Sequence, residues 1–74
     1  MMKPNSDLQD EFLKKLFKKK ITAVIYLVNG VRLSGQVSDF DNFTVLINTD
    51  KGQQMVYKHA ISTIVPDEEI KDLS

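Results

Sequence analysis

The stretch ITAVIYLVNGVRLSGQV, residues 21–37, decides the fold. Its first eight residues are rich in β-branched and aromatic side chains, which favours a strand. Asn29-Gly30 follows. Asn-Gly between two apolar runs is the strongest short hairpin signal, because a type I′ turn needs positive φ at both central residues. Beyond it VRLSGQVSD alternates, with Val31, Leu33 and Val37 on one side and Arg32, Ser34, Gln36 and Ser38 out of step. Gly35 falls mid-strand and predicts a sharp bend or a bulge.

Downstream the same texture repeats. Asp41-Asn42 reads as a turn, FTVLIN as a third strand, Asp50-Lys51-Gly52 as a turn and QQMVYK as a fourth strand. ISTIV, ended by Pro66, is a fifth. Upstream, residues 7–19 read as one helix. Leu8, Phe12, Leu13, Leu16 and Phe17 recur at helical spacing. Ser6 and Gln9 have the spacing of a capping box, with Asp7 at the positive end of the helix. Lys18, Lys19 and Lys20 sit in and after the last turn, where cations suit the helix dipole. The order is therefore one helix and then five short strands with tight connections. Its natural product is a mainly β fold: a strongly bent, antiparallel, five-stranded open barrel.

Seventy-four residues make one domain. A chain this short buries only about 60% of its unfolded surface, so its own core is marginal. Small domains usually add disulfides, a metal or oligomerisation. With no cysteine and one histidine, neither disulfides nor a conventional metal site is expected, which leaves oligomerisation. An open barrel has bare edge strands, and pairing them with a neighbour's edge removes an aggregation hazard. Repeated head-to-tail, such pairing closes a ring where the rotation permits. No apolar run approaches the ~20 residues of a membrane span. Nor does the N-terminus have the apolar core of a signal peptide. A cytoplasmic location is the expectation. Residues 1–6 are expected to be a flexible N-terminus.

The formal net charge of zero hides an asymmetry. Residues 67–74 carry four acids against one lysine, whereas residues 1–66 carry nine cations against six acids. A modestly basic body thus bears a short acidic tail. Such a body suits polyanions, and the tail can compete for its basic patches.

Nothing in the chain assembles a catalyst. His59 has no local partners of the kind a nucleophilic triad needs, and no phosphate-binding or dinucleotide fingerprint occurs. No enzyme activity, cofactor or small-molecule substrate is expected. Single-stranded nucleic acid is bound by aromatic platforms beside cations. Phe43 and Tyr26 could supply the platforms; Arg32, Lys58 and the helix lysines could supply the charge. Gln9, Asn42, Gln54 and Thr63 could meet base edges. The same rings could equally be core or interface residues, and the lysines a solvated face. On these residues alone a nucleic-acid binder and a protein-interaction barrel stand level.

LQDEFL, IYLVNGVRLSGQV, FDNFTVL and MVYKHAISTIVP, in this order and spacing, resemble the Hfq family of bacterial Sm-like RNA chaperones. The resemblance runs from about Asp7 to Pro66, so residues 7–66 are expected to be an Sm-like RNA-binding domain. It implies a homohexameric ring in which strand four of one subunit pairs with strand five of the next. It also implies two RNA-binding faces. The proximal face would bind U-rich small regulatory RNA through Gln9, Asn42, Phe43, Lys58 and His59. The distal face would bind A-rich mRNA through Tyr26, Asn29, Gly30, Val31, Arg32, Leu33, Gln54 and Thr63. A rim of Lys14, Phe17, Lys18, Lys19, Lys20 and Phe40 would assist pairing of the two RNAs. Tyr57 would serve the subunit interface. The implied role is post-transcriptional regulation, including stress response.

Three departures from the enterobacterial pattern qualify this. Ser34 stands where that pattern has a glutamine, and a serine cannot make a bidentate amide contact to adenine. Asn42 replaces another glutamine. The rim is lysine-based, and lysine lacks arginine's planar fork. Weaker annealing with retained electrostatic capture is the expectation. The competing reading is a ring that acts mainly as a protein-interaction or assembly scaffold. The trio Phe43, Lys58 and His59 argues against it, since a scaffold has no need of that set.

Overall fold

A computed structural model describes residues 6–71, with side chains described from Leu8 onward. Helix α1 spans Ser6–Lys19. The strands are β1 (Thr22–Leu27), β2 (Arg32–Phe40), β3 (Thr44–Thr49), β4 (Gly52–Tyr57) and β5 (Ile61–Pro66), with a single 3₁₀ turn, Lys58–Ala60, before β5. They form one antiparallel sheet in the order β4-β3-β2-β1-β5. The expected element order is therefore observed. The Ser6–Gln9 capping box rests on a side chain outside the described residues.

The helix ends by a defined device. Lys20 adopts a left-handed conformation with φ of 55°, and Ile21 N–H donates to the Leu16 carbonyl at 3.1 Å. This six-residue closure satisfies a terminal carbonyl and brings Leu16 and Ile21 together, both buried. The Gln36 amide adds a bond to the Lys20 carbonyl at 3.0 Å, so β2 helps to hold the turn.

The core forms where the helix packs against the sheet. Leu13 and Leu16 come from α1, Ile21 from the connection, and Ala23 and Ile25 from alternate positions of β1. Val37, Val45, Ile47 and Val56 complete it. Leu8 and Phe17, read as part of the apolar helix face, are instead largely exposed at its margins.

Two expectations need correcting. The Asn29-Gly30 hairpin is not a type I′ turn, because among the described non-glycine residues positive φ occurs only at Lys20. Gly30 N–H donates to the Leu27 carbonyl at 3.0 Å, and Leu27 N–H to the Val31 carbonyl at 2.8 Å. The loop is thus three residues long, with Gly30 alone left-handed at φ 92°. The Asn29 carboxamide oxygen accepts from Val31 N–H at 3.0 Å, and this Asx-type closure stabilises the longer loop. Nor is Gly35 itself the bulge. The sheet bends at register shifts between Val37 and Asp39 on β2 and between Tyr26 and Leu27 on β1. Gly35 serves close approach: a Cβ there would run into the Asn48 backbone carbonyl on β3.

The first part of the acidic segment is anchored. Asp67 N–H donates to the Thr22 carbonyl at 2.9 Å, and Ile70 packs against the core.

Candidate nucleic-acid interface

The residues read as candidates gather in three places. The first is the junction of β4, the 3₁₀ turn and the β2–β3 loop. Asp41 organises that loop. Its carboxylate accepts from Phe43 N–H at 2.9 Å, from Thr44 N–H at 2.8 Å and from the Thr44 hydroxyl at 2.8 Å. These bonds, led by that from Phe43 N–H, hold the Asp41 pKa below the usual carboxylate range, with a smaller contribution from the Lys58 charge. The loop so fixed presents Phe43 with 73% of its surface exposed. Lys58 N–H donates to the Phe43 carbonyl at 2.7 Å, which ties the 3₁₀ turn to this loop. Lys58 is thus held to Phe43 through the backbone, with His59 next in the chain and Asn42 exposed before Phe43.

Lys58 is not free within the subunit. Its ammonium lies 3.1 Å from Asp10 of α1, and its side chain is only 10% exposed. It also stands 5.5 Å from the centroid of the Phe40 ring. Phe40 thus belongs partly to this cluster rather than to the helix rim alone. His59 stacks on Tyr57, with centroids 5.7 Å apart and 22° between planes. Tyr57 is half exposed on the outer strand β4. Gln9, next to Asp10 on α1, lines a groove between α1 and β5 with Leu8, Phe12, Ile61 and Ile64.

The second place is a cleft of about 440 Å³ on the sheet surface. Tyr26, Arg32, Leu33 and Gln54 line it, with Ser34 at its wall. Tyr26 pairs with Arg32 on one side and with Thr63 on the other, and directly opposed residues share a face of the sheet. Thr63 also borders the α1–β5 groove. Asn29, Gly30 and Val31 form the exposed hairpin loop adjoining the Tyr26–Arg32 pair. The third place is the helix end, where Lys14, Lys18, Lys19 and Lys20 are exposed beside the partly exposed Phe17.

Four residues escaped the sequence reading as contributors to these sites. Asp10 could not have been found, because nothing local links it to a lysine 48 positions away. Asp41 could have been, since an aspartate two and three residues before the N–H groups it caps is a known local pattern. Asp50 and Lys51, read only as turn residues, line the Tyr26 cleft.

A family model described as Hfq protein matches residues 8–71. The chain is 49% identical over 70 residues to the RNA-binding protein Hfq of Shouchella clausii, covering 95% of this chain and 91% of that one. It is 52% identical over 71 residues to the RNA-binding protein Hfq of Bartonella bacilliformis, covering 96% and 90%. Among solved structures it resembles the pleiotropic translational regulator Hfq, with a TM-score of 0.75 and 30% identity over 77% of this chain and 95% of that one. An Hfq protein from Anabaena sp. gives a TM-score of 0.72 at 30% identity, covering 80% and 95%. Helix, five-stranded bent sheet and sequence agree: the chain belongs to the Hfq family, a non-enzymatic one with the Sm-like fold.

Proposed function

We propose that this protein is an RNA chaperone that holds U-rich small RNA on the Phe43–Lys58–His59 surface and A-rich mRNA on the Tyr26 cleft, and so promotes their pairing. One observation carries the reading. A structured loop leaves Phe43 73% exposed, and a backbone bond from Lys58, the neighbour of His59, ties the following turn to that loop. A large exposed phenyl ring is costly to solvate, and stacking of an unpaired base on it offsets that cost. The names of the relatives support RNA as the ligand.

The working unit is a homohexameric ring. The outer strands β4 and β5 end the sheet and carry the exposed apolar residues Met55, Tyr57 and Val65. Pairing β4 of one subunit with β5 of the next covers them. Repetition of a weak site around a ring also raises affinity through effective concentration. Gln9 and Asn42 extend the proximal site; Asn29, Gly30, Val31 and Thr63 extend the distal one. The helix lysines capture RNA at the rim, and the setting is the cytoplasm.

Fluorescence anisotropy with a labelled U-rich and a labelled A-rich oligonucleotide tests this. Lys58→Ala should weaken U-rich binding alone, and Tyr26→Ala A-rich binding alone. Both affinities should fall with salt, because cation–phosphate contacts release counterions. The Lys58–Asp10 pair is the observation that favours a scaffold instead. Absence of binding to either RNA would make the scaffold the better account.

A further inference from the structure

The β3–β4 turn forms part of the Tyr26 cleft, and its tip brings a second cation and the one carboxylate among the lining residues. Asp50 and Lys51 both line the cleft. Their position is set by a web centred on Thr49. The Thr49 hydroxyl donates to the Gly52 carbonyl at 2.8 Å and accepts from Lys51 N–H at 3.1 Å. The Gln54 amide also reaches it, at 3.3 Å. Gly52, at φ 111°, completes the reversal without a Cβ penalty. Thr49 in turn pairs with Gly35, where the missing side chain lets β3 lie close to β2. The turn is therefore fastened to the cleft wall.

Neither Asp50 nor Lys51 has an ion-pair partner among the described residues, and Arg32 has none either. The cleft thus combines an aromatic ring, two unpaired cations and one unpaired carboxylate. The ring and cations suit a stacked base and its phosphates. The carboxylate repels phosphate and accepts only from donors. Exocyclic amino groups of bases are such donors: adenine presents one at N6 and cytosine one at N4, whereas uracil presents carbonyls instead. Ser34, at the same wall, is too short to read a base edge through two bonds.

We infer that the β3–β4 turn is a base-reading element, in which Asp50 accepts from the exocyclic amino group of a base stacked at Tyr26 and Lys51 binds an adjacent phosphate. This rests on the proposed A-rich role of the cleft and adds to it the residue that selects the base. Tyr26 supplies affinity for any purine. Asp50 supplies preference for a purine with an exocyclic amino group over one that has none.

The test compares an A-rich oligonucleotide with one of equal length in which every adenine is replaced by purine riboside, which stacks but lacks the amino group. Anisotropy titrations would use full-length wild type, Asp50→Ala, Lys51→Ala and Tyr26→Ala. Wild type should prefer the adenine strand about tenfold, the discrimination expected of one specific polar contact to a base. Asp50→Ala should bring the two affinities to within about twofold. Lys51→Ala should weaken both strands equally and lower the salt slope by about one. Loss of one acid can raise affinity for both strands together, so the ratio is the diagnostic quantity. An unchanged ratio in Asp50→Ala, with binding still abolished by Tyr26→Ala, overturns the turn's role and leaves the cleft's. Unchanged binding in Tyr26→Ala overturns both.

Discussion

The Lys58 ammonium lies 3.1 Å from the Asp10 carboxylate, joining the turn before β5 to the helix across 48 positions of sequence. RNA that uses Lys58 must compete with this pair. Asp10 is 44% exposed, so the interaction is screened, and exposed pairs are worth only ~0.2–1 kcal/mol. Asp10→Asn should therefore raise U-rich affinity by up to about fivefold at low salt, with A-rich affinity unchanged. Anisotropy titration checks it. Equal or weaker U-rich binding would show that Asp10 orients Lys58 rather than competing for it.

Asp41 links loop conformation to pH. Its folded pKa is depressed, so its bonds stabilise the loop at neutral pH, and that contribution is lost as pH falls through the folded value. The window lies below the ordinary carboxylate range. Carbon-detected NMR titration should give Asp41 the lower pKa when compared with a short peptide of the same sequence. Asp41→Asn should loosen the Phe43 loop at pH 7, visible as faster amide exchange at Phe43 and Thr44.

Gly35 should not tolerate even a methyl group. The atom in its way is backbone, the Asn48 carbonyl oxygen, and cannot swing aside. Gly35→Ala should cost about 2 kcal/mol or more by displacing β3 from β2. Urea denaturation measures the loss. A midpoint equal to wild type would mean that the strands separate at little cost.

Lys20 offers the opposite case. A lysine at φ 55° carries a left-handed penalty that glycine avoids, only partly offset by glycine's freer unfolded state. Lys20→Gly should stabilise the domain by about 0.5 kcal/mol, seen as a raised thermal midpoint. It also removes one rim cation, so weaker RNA capture at low salt should accompany the gain.

The element order is legible in the sequence, because helix and strand differ in the period of their apolar residues. Leu13 and Leu16 recur with a helical spacing, and Ala23 and Ile25 with a strand's, and all four are buried. The motifs carrying Phe43, Lys58, His59 and Tyr26 were equally visible, since each lies within a short contiguous run. Turn geometry was less so: Asn29-Gly30 was rightly read as a hairpin and wrongly typed. The two-residue and three-residue loops use the same residues, and the Val31–Asn29 bond favours the longer. What only the tertiary structure decided are the relationships between distant residues. The Asp10–Lys58 pair, the Phe40 ring under Lys58 and the place of Asp50 and Lys51 in the Tyr26 cleft all depend on how the sheet bends. That bend follows from two register shifts and one close approach at Gly35, which depend on backbone packing between strands rather than on any local pattern.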